Sequence, residues 1–218
     1  MKYHWLNKQN NCKLIIFFAG WSFDYKPFEF LNCNSYDILM LYDYNSFDIP
    51  LNIPEYDKTY LISWSMGVYA AYILRNNLPD FTRKIAINGT PLPVDNEFGI
   101  PERPFLLTLK HAKTGLEKKF YENIFKTQEE FERYTFNPVE RPIDNRVDEL
   151  NSLYKKIKTE KIDYKKYFDK AIVSRFDKII PPQNQINFWQ QNNTPCTILE
   201  TGHFPYYNFT CWNDILCI

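Results

Sequence analysis

The stretch Thr59–Asn77, TYLISWSMGVYAAYILRNN, joins a short apolar run to a longer run with helical character, and the join is Ser63-Trp64-Ser65-Met66-Gly67. Residues 59–64 suit a strand buried on both faces, and residues 66–77 suit a helix that begins without a linker. A serine at such a strand-to-helix reversal, followed two positions later by glycine, matches the G-x-S-x-G elbow, with Ser63 in place of the first glycine. The reversal demands small residues around the serine, and we expect Ser63 and Gly67 to crowd one another. It would leave the Ser65 hydroxyl exposed at a helix N-terminus, where developing negative charge is favoured. The competing reading is an ordinary turn with an N-capping serine.

Outward from this turn the pattern repeats. Lys13–Gly20 (KLIIFFAG), Asp37–Tyr44 (DILMLYDY) and Lys84–Asn88 (KIAIN) read as further buried strands. Lys170–Phe176 (KAIVSRF) and Pro195–Leu199 (PCTIL) read as two more, separated by a helical stretch at Pro182–Gln191. Strands alternating with helices imply a mainly parallel sheet flanked by helices, an α/β fold. Between about Phe98 and Lys166 no strand-like run occurs, and LLTLKHAKTGLEKKFYENIF and VDELNSLYKKIK have charged, helical patterns. We therefore expect residues 1–97 and 167–218 to form the core and residues 98–166 a helical lid insertion.

Only three histidines occur: His4, His111 and His203. His4 falls in what reads as an N-terminal tail, and His111 in a charged helical stretch, where a solvated side chain is the plain reading. His203 lies in Thr201-Gly202-His203-Phe204-Pro205, just after the last expected strand, where it can serve as a general base. Asp177 in SRFDKIIPP follows the strand before it, where a carboxylate can orient the imidazole and stabilise the imidazolium. The alternative for Asp177 is a surface acid paired with Lys178 or Arg175, and for His203 a structural loop histidine. The order Ser65, Asp177, His203 is that of an α/β-hydrolase and not of chymotrypsin or subtilisin. Phe18-Ala19-Gly20-Trp21, after the first core strand, is where such a fold supplies one oxyanion-hole N–H, the other coming from the residue after the serine. We assign these to the backbones of Trp21 and Met66, and expect Gly20, Trp21, Trp64 and Phe204 to bind substrate. The chain holds six glycines, and Gly20, Gly67 and Gly202 fall inside these motifs.

Composition excludes several other classes. The formal net charge is +0, which gives no electrostatic footprint for nucleic acid. Cys12, Cys33, Cys196, Cys211 and Cys217 form no C-x-x-C pair and are odd in number, so no disulfide framework or zinc site is expected. No phosphate-binding glycine motif is present, and no cofactor or metal is expected. The apolar run Leu14–Ala19 is too short for a signal peptide or a membrane span, so the expected compartment is the cytoplasm, with no membrane partner.

FFAGW (17–21), SWSMG (63–67), Asn88-Gly89-Thr90-Pro91 with Phe98-Gly99-Ile100-Pro101, and Gly202-His203-Phe204-Pro205-Tyr206 together resemble the BioG type of pimeloyl-carrier-protein methyl ester esterase. The resemblance runs from about residue 2 to the C-terminus, and INGTPLP with FGIP is its most specific part. It implies a carboxylic ester hydrolase of biotin synthesis. Its substrate would be the methyl ester capping a pimeloyl chain carried on acyl carrier protein, and its mechanism a Ser-His-Asp acyl-enzyme. A thioesterase, a general short-chain carboxylesterase with the same residues, and a non-catalytic binding module are the alternatives. An acidic carrier protein would be met by lysine and arginine, and Arg103, Lys110, Lys113, Lys118 and Lys119 are the candidate docking residues. A solvated outer helix face explains the same charges.

Overall fold

The computed structural model describes residues 1–115 and 119–218. The runs of the sequence become a seven-stranded sheet: β1 (Lys2–Asn7), β2 (Lys13–Phe18), β3 (Asp37–Tyr42), β4 (Lys58–Trp64), β5 (Arg83–Ile87), β6 (Lys170–Ser174) and β7 (Cys196–Leu199). Their spatial order is β1-β3-β2-β4-β5-β6-β7. Every pair is parallel except β1 with β3, which is antiparallel.

The central strands carry apolar residues on both faces because helices cover both faces of a parallel sheet. In β2, Leu14, Ile15, Ile16, Phe17 and Phe18 are all fully buried. The helix after β4, α1 (Met66–Ile73), is buried nearly all round and ends in a 3-10 turn at Arg75–Asn77. It is thus shorter than the run Met66–Asn77 suggested.

Residues 2–7 are not a tail. They form edge strand β1, and the His4 ring stacks on Tyr25 at 3.7 Å between centroids. The strand was hidden because an edge strand need not be apolar: KYHWLN carries polar residues throughout, and its side chains are half-buried or exposed.

Among the described residues, four α-helices lie between β5 and β6: α2 (Glu102–Gly115), α3 (Tyr121–Ile124), α4 (Gln128–Thr135) and α5 (Ile143–Thr159). They are not uniformly short, since α2 has 14 residues and α5 has 17. Phe105 of α2 packs on Tyr154 of α5, while Ala112, Leu150 and Leu153 are buried. The chain then closes through α6 (Pro182–Gln191) and α7 (Trp212–Leu216). Among the described residues no helix is long and apolar enough to cross a membrane.

Candidate active site

Parallel strands end on the same side of the sheet, so the loops after β2, β4, β6 and β7 meet there. Three side chains from three of these loops form a hydrogen-bonded chain. Ser65 Oγ lies 2.9 Å from His203 Nε2, and His203 Nδ1 lies 2.8 Å from Asp177 Oδ2.

Ser65 adopts φ 56 and ψ −126 between β4 and α1. A non-glycine residue in that region holds of order 1–3 kcal/mol of strain and persists only when its surroundings enforce it. The enforcement is visible: Ser65 N–H donates to Ile87 O at 2.9 Å, and Val68 N–H donates to Ser65 O at 3.0 Å. The crowding that requires glycine at 67 differs from the expected one. A Cβ on Gly67 would sit 2.3 Å from Phe18 O and 2.5 Å from Ala19 O, so the helix start abuts the end of β2 rather than Ser63. Ser63 is fully buried in β4 opposite Phe18. Gly20 allows a second close approach, since a Cβ there would lie 3.0 Å from the Trp64 ring and 3.1 Å from Ser65 Cβ.

Asp177 is held by more than its histidine. Its Oδ1 accepts from Ile179 and Ile180 N–H at 2.8 and 2.9 Å, closing the turn before α6. Its Oδ2 also accepts from Gln185 Nε2 at 3.0 Å, and Gln185 is fully buried. The expectation that Asp177 could be a surface acid paired with Lys178 or Arg175 does not hold: Asp177 is buried, and Arg175 pairs with Glu200.

The histidine loop is fixed by residues that the sequence did not single out for this role. Asn88, at φ 44 after β5, donates through Nδ2 to His203 O at 2.9 Å and accepts Ser174 N–H at 2.7 Å. Trp64 Nε1 donates to the same His203 carbonyl at 2.8 Å. A position-specific demand of this kind gives no periodic signal; only the NGTP signature hinted at Asn88.

A cavity of about 570 Å³ opens over Ser65 and His203. Gly20, Trp21, Trp64 and Met66 lie on its wall. Opposite them stand apolar residues of the inserted helices, among them Phe105, Ala112, Phe120 and Leu150. Neither the Trp21 nor the Met66 N–H has an acceptor among the described residues. Phe204 corrects an expectation. It is fully buried, off the cavity wall, and packed among Phe23, Trp64 and Tyr206. A ring following His203 serves the aromatic core that seats the loop. His111 is exposed, as its charged helical stretch suggests, and it also lies at the cavity.

Of the expected docking residues, Arg103, Lys110, Lys113 and Lys119 are exposed. Lys113 is paired with Asp144 of α5 at 2.7 Å, and Lys119 stands at the cavity. Lys118 lies outside the described residues.

The fold and the serine at its elbow define an α/β-hydrolase, and solved hydrolases share the architecture. An esterase from Exiguobacterium antarcticum superposes with TM-score 0.64 at 12% identity, covering 95% of this chain and 89% of the other. Comparison carries the assignment further. The model of the family described as "Pimeloyl-ACP methyl esterase BioG" matches residues 1–215, and the chain belongs to that family. The crystal structure of BioG from Haemophilus influenzae superposes with TM-score 0.90 at 32% identity, covering 98% and 99% of the two chains. A malonyl-[acyl-carrier protein] O-methyltransferase from Bacteroides fragilis is 33% identical over 193 residues, which are 87% of this chain and 39% of that protein. The protein is a carboxylic ester hydrolase.

Proposed function

We propose that the protein hydrolyses the methyl ester at the end of a pimeloyl chain borne by acyl carrier protein, a step of biotin synthesis, with Ser65 as nucleophile. The observation that carries this reading is the chain Asp177–His203–Ser65, with spacings of 2.8 and 2.9 Å, beneath a largely apolar cavity. His203 takes the proton of Ser65 as the oxygen attacks the ester carbonyl, and Asp177 holds the imidazole in the required tautomer. The N–H groups of Trp21 and Met66 receive the oxyanion. The tetrahedral intermediate expels methanol, protonated by His203. Water then attacks the acyl-enzyme, giving up a proton to His203, and the free carboxylic acid leaves as Ser65 recovers its proton. The apolar wall of α2 and α5 suits a methylene chain, and residues 98–166 act as the lid over it.

In this reading the carrier docks at the cavity rim on the α2 side. The charges offered to it are Arg103, Lys110 and Lys119, with Lys113 shared with Asp144 and Lys118 part of the same basic stretch. The test compares two substrates. Charge reversal at Arg103, Lys110 and Lys119 is expected to raise KM for the carrier-bound ester several-fold, and added salt to act in the same direction, because exposed charges are screened over about 8–10 Å. Hydrolysis of a small free ester needs only the residues at Ser65 and is expected to stay within about twofold. Equal losses on both substrates would remove the carrier from the reading.

A further inference from the structure

The loop that carries Trp21 is held from outside the core sheet, and its fixation involves a buried acid that the chemistry at Ser65 does not use. Glu149 lies in the middle of α5 and is fully buried. Its Oε2 accepts the N–H of Ser22 at 3.1 Å, and its Oε1 accepts the N–H of Tyr44 at 2.9 Å. Arg141 balances the charge, 2.8 Å from Glu149 and 3.2 Å from Asp43.

Ser22 is the residue after Trp21, and its φ of 72 is a conformation that a side-chain-bearing residue adopts only when held. Its hydroxyl is also caught, 2.9 Å from the Tyr121 hydroxyl of α3, which accepts from Arg146 of α5 at 2.9 Å. Trp21 itself donates Nε1 to Arg146 O at 2.7 Å. On the other flank, Tyr44 OH donates to Ala19 O at 2.6 Å. Ala19 and Ser22 are thus both pinned, and Gly20 and Trp21 hang between them. Glu149 sits at the centre, because its two oxygens touch both the strained Ser22 and the turn after β3 that carries Tyr44.

We propose that Glu149 is a positioning residue for the oxyanion hole. Through Ser22 it fixes the Trp21 N–H against the elbow, and it thereby makes helix α5 of the insertion part of the catalytic apparatus as well as a cavity wall. The proposal rests on the assignment of Trp21 as an oxyanion donor. An oxyanion donor contributes only if it is already aimed when charge develops, so loosening its loop lowers turnover and leaves ground-state binding in place.

The test uses Glu149→Gln, which keeps the size of the side chain but turns a donor NH2 toward one of two N–H groups. Arg141 retains Asp43 as partner. On a small free ester, kcat is expected to fall roughly 10–100-fold with KM unchanged, because losing one oxyanion donor outright costs about 100–1,000-fold. Affinity for a trifluoromethyl ketone, whose serine adduct bears an oxyanion, is expected to weaken by the same factor. Tyr121→Phe, which releases the Ser22 hydroxyl without removing the ring, is expected to show the same pattern at about a third to a tenth of normal turnover. If Glu149→Gln fails to fold, Tyr121→Phe decides by these same criteria. Unchanged kcat, a loss confined to KM, or a loss of kcat with undiminished ketone affinity overturns the positioning role. Wild-type protein without esterase activity, or Ser65→Ala with full activity, would instead remove the underlying reading and this proposal with it.

Discussion

Ser65→Ala and His203→Ala are each expected to lower the ester hydrolysis rate by about four to six orders of magnitude, the usual scale for removing one member of a serine–histidine pair. The expectation follows from the geometry. Ser65 Oγ has His203 Nε2 at 2.9 Å, and the strained backbone at Ser65 holds that hydroxyl at the cavity floor. Asp177→Asn is expected to be severe as well. Asn can still occupy the turn that Ile179 and Ile180 N–H close, but it presents an amide to an imidazole that needs an acceptor at Nδ1. Stability should change little in Ser65→Ala, since the elbow is held by backbone bonds to Ile87 and Val68. Labelling by a fluorophosphonate, which phosphonylates an activated serine, should disappear in Ser65→Ala and slow greatly in His203→Ala. Full labelling in Ser65→Ala would place the nucleophile elsewhere.

The second large effect is on folding. Gly67→Ala adds one carbon at a point where backbone oxygens of Phe18 and Ala19 stand 2.3 and 2.5 Å away. Neither can rotate aside, because they belong to the end of the inner strand β2 and to the loop that follows it. The helix must move off the sheet, at about 3 kcal/mol or more. For a chain of this size that is a loss of roughly 6–12 °C in Tm. Gly115→Ala supplies the contrast. Among the described residues nothing lies within 4 Å of a Cβ there, and alanine at that position should be neutral or stabilise by up to roughly 0.5–1 kcal/mol. Thermal unfolding of the two variants beside wild type checks both statements. A Gly67→Ala protein as stable as wild type would contradict the tight packing of the elbow.

What the sequence made legible followed from periodicity and from rigid local demands. The five inner strands are apolar runs because both faces of the sheet are covered, and the strand-to-helix join at Ser65 is contiguous in the chain. His203 and Asp177 could be placed because each follows a readable strand. The edge strand β1 escaped because its polar sequence carries no such signature. Gln185, Asn88 and Glu149 escaped for a different reason. Each is a buried polar residue whose partner lies at least eight positions away in the chain, so its value depends on the tertiary fold. Phe204 was misplaced because adjacency to His203 says nothing about which way a ring faces, and this one faces the core. That the helix carrying the exposed His111 also lines the cavity could not be read from its charged pattern.

The inserted helices emerge from this as more than a cover. Helix α5 supplies Leu150 to the cavity wall and, one residue earlier, Glu149 to the loop of Trp21. Substitutions on its buried face should therefore affect turnover and stability together, whereas those on its exposed face should affect neither.

The most direct test of the central claim is mass analysis of acyl carrier protein loaded with the pimeloyl methyl ester, after incubation with wild-type enzyme and with Ser65→Ala. The account predicts that wild type returns the carrier still acylated, with the methyl ester converted to a free carboxylic acid and methanol released, and that Ser65→Ala leaves the substrate intact. Carrier returned as its free thiol, with the methyl ester surviving on the released chain, would show that the enzyme cleaves the thioester and would contradict the account.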